Sequence, residues 1–184
     1  MGMALAVPRY SVRDLDSFPD DGNRYELLDG LLLVTPAPAP GHQAVVSRLM
    51  KILQVHLQSS GAMVYSPGSV EIEPTVHLEP DILVVPGTEP ISKRWNDVRN
   101  WWLAVEVSGR GSQVYDRDFK FAAYAALGVP DVWRVDLQER CMVVKTGDGD
   151  AKSHWKSFSW ESACLDRAVT IDVAPLFEGI LGDD

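Results

Sequence analysis

The spacing of apolar residues changes period several times along the chain, and each change marks an element. Tyr25-Glu26-Leu27-Leu28 and Leu31-Leu32-Leu33-Val34 flank Asp29-Gly30, a two-residue turn signal, and predict a β-hairpin over 24–34. After a Pro/Ala loop, Val45, Val46, Leu49, Ile52, Leu53 and Leu57 follow helical spacing. They predict a helix from His42 to about Gln58, ended by Ser59-Ser60-Gly61. Short strands follow at 63–65 and 69–73, the second alternating Val70 and Ile72 with Glu71 and Glu73. Ile82 to Val85 reads as a buried strand and Trp101 to Val107 as the central one, with a polar loop at 86–100 between them. Asp116 is a good N-cap for a second helix to about Leu127, which Gly128 and Pro130 close. Strands at 132–137 and 141–145 form a hairpin-like pair. Weaker strands follow at 157–160 and 169–173, then a helical turn at 175–178. Mostly strands with two clear helices predict an α/β or α+β fold, a mixed sheet with helices packed on it.

Polar residues that break this pattern carry the chemistry. Asp81 follows Pro80 and opens an apolar strand, and Glu106 interrupts the run Trp101 to Val107. Strand residues alternate faces, so Glu106 shares a side with Trp102, Ala104 and Ser108, and Asp81 with Leu83 and Val85. If these strands are neighbours, the two carboxylates meet at one edge, where they repel unless a cation sits between them. Lys120 and Tyr124 stand four apart on the second helix and project from one face; Phe119, Ala123 and Ala126 lie on another, suited to packing on the sheet. Two carboxylates and a lysine form a minimal set for metal-assisted phosphodiester cleavage. Hard oxygen ligands hold Mg²⁺ or Mn²⁺, and the cation steadies an attacking water or the developing phosphorane charge. His42, opening its helix, is a candidate phosphate or water contact. The same residues admit plain structural readings. Asp81 could cap a strand or turn, Glu106 could pair with an arginine such as Arg134, and Lys120 could be a solvated helix lysine.

The 184 residues favour one domain, 1–184, long enough to bury a core. No apolar run approaches the roughly 20 residues of a membrane span, and the N-terminus lacks the basic and apolar regions of a signal peptide. Cys141 and Cys164 are isolated and read as buried thiols in a reducing cytoplasm. The net charge of −9 argues against a general nucleic-acid binder. The charge is uneven: residues 91–120 hold six basic and four acidic side chains, leaving −11 on the rest. Lys93, Arg94 and Arg117 belong to that stretch, and the loop from Lys93 to Arg99, with Trp95, could hold backbone phosphates or stack a base. No nucleotide-binding glycine motif or serine-hydrolase elbow is present.

Arg24-Tyr25-Glu26-Leu27-Leu28-Asp29-Gly30 resembles the opening hairpin of the Uma-two family of endonucleases. Its helix entry is similar to Pro36–Pro40 followed by His42-Gln43. Its "PD-hydrophobic" strand is similar to Pro80–Val85, and its "VEVxS" strand to Val105-Glu106-Val107-Ser108. The stretch Tyr115 to Lys120 and Tyr124, then Gly128 to Asp136, resembles its "YDRxxK…Y…GVPEYWLVD" block. The resemblance spans about Arg24 to Val144. It implies a restriction-endonuclease-like fold of the PD-(D/E)XK type and Mg²⁺-dependent cleavage of DNA, with Asp81 and Glu106 as metal carboxylates and Glu26 as a further acid near the metal. Ser108 stands where the plain superfamily motif has its lysine, and Lys120 matches the displaced lysine of this family. The alternative is a non-catalytic module on the same fold, binding a protein or nucleic-acid partner. A homodimer is a further expectation, because C₂ dimers are the commonest oligomers and suit enzymes that cut both strands.

Overall fold

The structure, a computed structural model, describes residues 7–109, 119–162 and 165–180. The hairpin forms as its turn demands. β1 (Arg24–Leu28) pairs antiparallel with β2 (Leu31–Thr35), and Asp29 and Gly30 both take positive φ, at 51° and 76°, as a two-residue turn matched to strand twist requires. α1 (Pro40–Leu57) starts with proline in its first turn, where the missing N–H costs nothing. It ends in a 3₁₀ turn at Gln58–Ser60, and Gly61 behind it is left-handed, at φ 68°.

A six-stranded sheet forms the centre. β3 (Met63–Tyr65), β6 (Ile82–Val85), β7 (Leu103–Ser108), β8 (Asp131–Asp136), β9 (Cys141–Thr146) and β10 (Lys152–His154) lie side by side in that order. β7 and β8 run parallel and the other pairs antiparallel, so the sheet is mixed. A second sheet carries β2, β1, β5 (Val76–Leu78) and β4 (Val70–Ile72), in that order. β11 (Ser157–Trp160) and β12 (Val169–Asp172) form a separate antiparallel pair.

Two apolar layers cover the central sheet. On one face, Val45, Leu49, Leu53 and Leu57 of α1 pack on Ile82, Val84, Leu103, Val105 and Trp133. Phe158, Trp160 and Ile171 of the β11–β12 pair extend that core. On the other face, Leu83, Val85, Ala104 and Val132 meet Val70 and Leu78 of the second sheet and Ala123 and Tyr124 of α2 (Phe121–Ala126). Leu49 is fully buried, so Leu49→Ala should cost about 2–5 kcal/mol, read as a fall in denaturation midpoint.

The mixed sheet, the hairpin and α1 agree with the sequence pattern. β5 and β10 do not stand out in it: β5 has three residues, and Lys152-Ser153-His154 has no apolar member. A short 3₁₀ turn at Val12–Ser17 is likewise unannounced by the pattern. The buried face of α2 is not the one expected: of the three residues expected to pack, only Ala123 does. Phe119 is half exposed and Ala126 is exposed, whereas Lys120, Ala123 and Tyr124 are buried. Carboxylates on the sheet below offer the ammonium and the phenol partners, so the polar side of this helix faces inward. Asp116, expected as the cap of this helix, and Arg117 lie outside the described residues. Cys141 is a buried free thiol, and Cys164 also lies outside the described residues.

Candidate active site

β6 and β7 place their acids together. Ile82 pairs with Val105 and Leu83 with Ala104, and one further step of that register sets Asp81 opposite Glu106. Residues opposed in register point to the same side of a sheet. Both carboxylates therefore face the layer of α2 and the second sheet. That sheet adds Glu26 from the centre of β1, and α2 brings Lys120 and Tyr124 down between them.

Lys120 Nζ lies 2.5 Å from Glu26 Oε2 and 3.5 Å from Glu106 Oε1. The Tyr124 hydroxyl donates to Glu106 Oε1 at 2.6 Å, and the Glu79 N–H donates to Glu26 Oε1 at 2.7 Å. Glu26 is 0% exposed and Lys120 2%, so this ion pair is removed from water. Burial pushes the Glu26 carboxyl up, and the pull of Lys120 recovers only part of the shift. Burial, with the negative charges of Glu106 and Glu26, raises the Tyr124 phenol well above 10.0, keeping it a donor.

Asp81 is held by three groups. Arg24 Nη1 donates to Oδ1 at 2.8 Å, the Val107 N–H donates to Oδ2 at 2.8 Å, and His42 Nε2 lies 3.0 Å from Oδ2. Burial alone would raise the Asp81 carboxyl. His42, Arg24 and the Val107 N–H together outweigh it and hold the group below its usual range, as a carboxylate. Arg24 belongs to the hairpin motif, and the sequence pattern alone does not mark it as a site residue. A basic residue opening an exposed-looking strand gives no sign of its partner 57 positions away.

Of the other residues expected at the site, His42 reaches it through Asp81. Ser108, fully buried, follows Glu106 by two on the same face; its Oγ donates to the Val135 carbonyl at 3.4 Å. Lys93 and Arg94 are not brought there. Their loop follows the far end of β6, about 13 Å along that four-residue strand from Asp81. Arg94 pairs with Asp97 at 2.9 Å, and Trp95 packs edge-on against Tyr65. A cleft of about 650 Å³ opens beside His42, lined by Gly41, Arg48, Gly109, Gln138 and Arg140.

Glu26, Asp81 and Glu106 are hard oxygen donors, a set that suits a hard divalent cation. Among the described residues no three His, Cys, Asp or Glu side chains gather closely enough to form a metal cluster. In this arrangement the acids are engaged by Arg24, His42, Lys120 and Tyr124 instead. A divalent cation at Asp81 or Glu106 would have to compete with Arg24 and Lys120 for these carboxylates.

Beside the site, His77 sits between two acids, Nδ1 at 2.8 Å from Glu71 and Nε2 at 3.3 Å from Glu79. Burial alone would lower the imidazole; Glu79 and Glu71 outweigh it and raise it above 6.5. A raised histidine adds stability that is complete below its unfolded value and lost as pH rises through the folded one. His77→Gln should therefore lower the melting temperature more at about pH 5.5 than at about pH 8.5. An equal loss at both would show that the charge of His77 plays no part.

An α+β chain with a mixed sheet and an acid–lysine cluster on one sheet face has the architecture of restriction-endonuclease-like proteins. The solved structure of "a putative nuclease belonging to DUF820" from Anabaena variabilis ATCC 29413 shares this fold. Its TM-score is 0.71 at 13% identity, covering 91% of this chain and 97% of that one. The family model Uma2, described as "Putative restriction endonuclease", matches residues 12–179, and the chain belongs to that family. No curated protein matches the chain. Among the described residues no helix is long and apolar enough to cross a membrane.

Proposed function

We propose that the chain is a Mg²⁺- or Mn²⁺-dependent endonuclease that hydrolyses phosphodiester bonds of DNA. The convergence of Glu26, Asp81, Glu106, Lys120 and Tyr124 from four separate elements onto one sheet face carries this reading. Asp81 and Glu106 would hold the ion, which when bound polarises the scissile phosphate and offsets its charge. The chain's own residues do the rest. Lys120, its charge secured by Glu26, orients the attacking water or meets the charge growing on the phosphate. Tyr124 fixes the Glu106 carboxylate through its 2.6 Å hydrogen bond. His42 and Arg24 set the orientation of Asp81 and keep it ionised. The cleft lined by His42, which touches Asp81, would receive the strand.

One observation favours a second reading, a non-catalytic module: the acids are already matched by Arg24, His42 and Lys120. The test is cleavage of supercoiled and single-stranded DNA with Mg²⁺ or Mn²⁺, together with metal calorimetry. Metal-dependent nicking with millimolar or tighter metal binding is expected. Neither nicking nor metal binding would favour the module. Light scattering addresses the expected homodimer; a strict monomer at cleaving concentrations would exclude it.

A further inference from the structure

Arg134 has no role in the site as described so far. It lies on β8, in register with Glu106 on the parallel strand β7. Ala104 and Val132, one pair earlier on the same face, pack in the layer that holds α2, so Arg134 emerges on the site's side of the sheet. It is only 8% exposed, and its Nη1 is closed to water and without a hydrogen-bond partner. No side-chain hydrogen bond or ion pair of Arg134 occurs among the described residues.

The neighbouring acids are engaged elsewhere. Glu106 takes Tyr124 and Lys120 on Oε1. Asp136, two residues along the same face, takes the N–H groups of Gln138 and Glu139 on Oδ1. The β9 neighbour, Val143, has nothing to offer a guanidinium. Burying a cation without a partner is costly, and such a group persists where a ligand completes it. A guanidinium is a planar fork of donors whose spacing matches two oxygens of a phosphate.

We propose that Arg134 binds a phosphodiester of the substrate strand, beside the Glu106 carboxylate. This inference rests on the nuclease reading of the site. Lys120 then acts at the reaction, and Arg134 supplies the anion contact that the carboxylates cannot.

The test compares wild type with Arg134→Met and Arg134→Gln for binding a fluorescein-labelled DNA duplex by anisotropy. Ca²⁺ replaces Mg²⁺, and salt is varied from about 50 to 200 mM. Melting curves are recorded alongside. Binding should weaken about tenfold, and the slope of log affinity against log salt should become shallower by about one. The melting temperature should stay level or rise, because an unpaired buried charge has been removed. A folded neutral variant with unchanged affinity and slope would overturn the inference. Failure of both variants to fold would do so too, because it would make Arg134 a structural cation. Wild type that neither binds nor cleaves DNA would remove the nuclease reading itself; wild type that does both, beside unaltered variants, would remove Arg134 alone.

Discussion

Asp81→Ala should cleave DNA at least about a thousandfold more slowly than wild type, the several kcal/mol expected when a metal-holding carboxylate is lost. The same change should also destabilise the protein, since Arg24, His42 and the Val107 N–H lose their shared acceptor. Two effects can be separated by pH. The Asp81 carboxyl is held low, so its contribution to stability is present above the unfolded value of 3.8 and lost as pH falls through the folded one. Alanine should therefore cost stability at neutral pH and progressively less in acid. Asp81→Asn keeps the shape and removes the charge; its cleavage rate should fall almost as far while more of the fold's stability survives. Plasmid nicking with melting curves measures both. A folded Asn variant that nicks at the wild-type rate would take Asp81 out of the site.

Lys120→Met should be the most destabilising change at the site. It strands Glu26, fully enclosed, and removes a cation from Glu106, at a cost of about 3–5 kcal/mol. Burial already raises the Glu26 carboxyl with the lysine present, and without it the group should rise further. A carboxyl raised on folding takes up protons in the native state, so stability falls as pH climbs above its unfolded value of 4.5. The variant should thus recover part of its loss at about pH 5 relative to about pH 7.5. Urea denaturation at the two pH values measures this. A loss of the same size at both would mean that the Glu26 carboxyl is not the group left exposed to the change. Cleavage should vanish even where the variant is folded, since no other described ammonium stands at the acids.

Much of this arrangement was legible in the chain. Asp29-Gly30 fixed the hairpin because few residues tolerate two successive positive φ values. The α1 stripe and the unbroken run at 82–85 follow from burial on one face and on both. Glu106 stood out because a charge within an apolar strand needs a partner, and its partners are the lysine and tyrosine spaced four apart on α2. What stayed hidden was long-range pairing. Periodicity says that Arg24 is on a strand edge, not that the edge passes Asp81. Apolar spacing alone does not show the inward side of α2, because Lys120 and Tyr124 turn in to meet Glu26 and Glu106 beside Ala123. Lys93 and Arg94 looked relevant through proximity in the chain to Glu106, yet the length of β6 carries their loop to the opposite end of the sheet.

Glu26 and Lys120 lie on elements separated by about half of the chain, with Asp81 and Glu106 between them in sequence. During synthesis the carboxylates leave the ribosome first and the cation that completes them arrives late. Until α2 docks, the acids on β1 and β7 have no buried ammonium to sit against, and the layer that holds them cannot close. Closure of the acid–lysine layer therefore waits on α2, and whatever chemistry that layer supports waits with it.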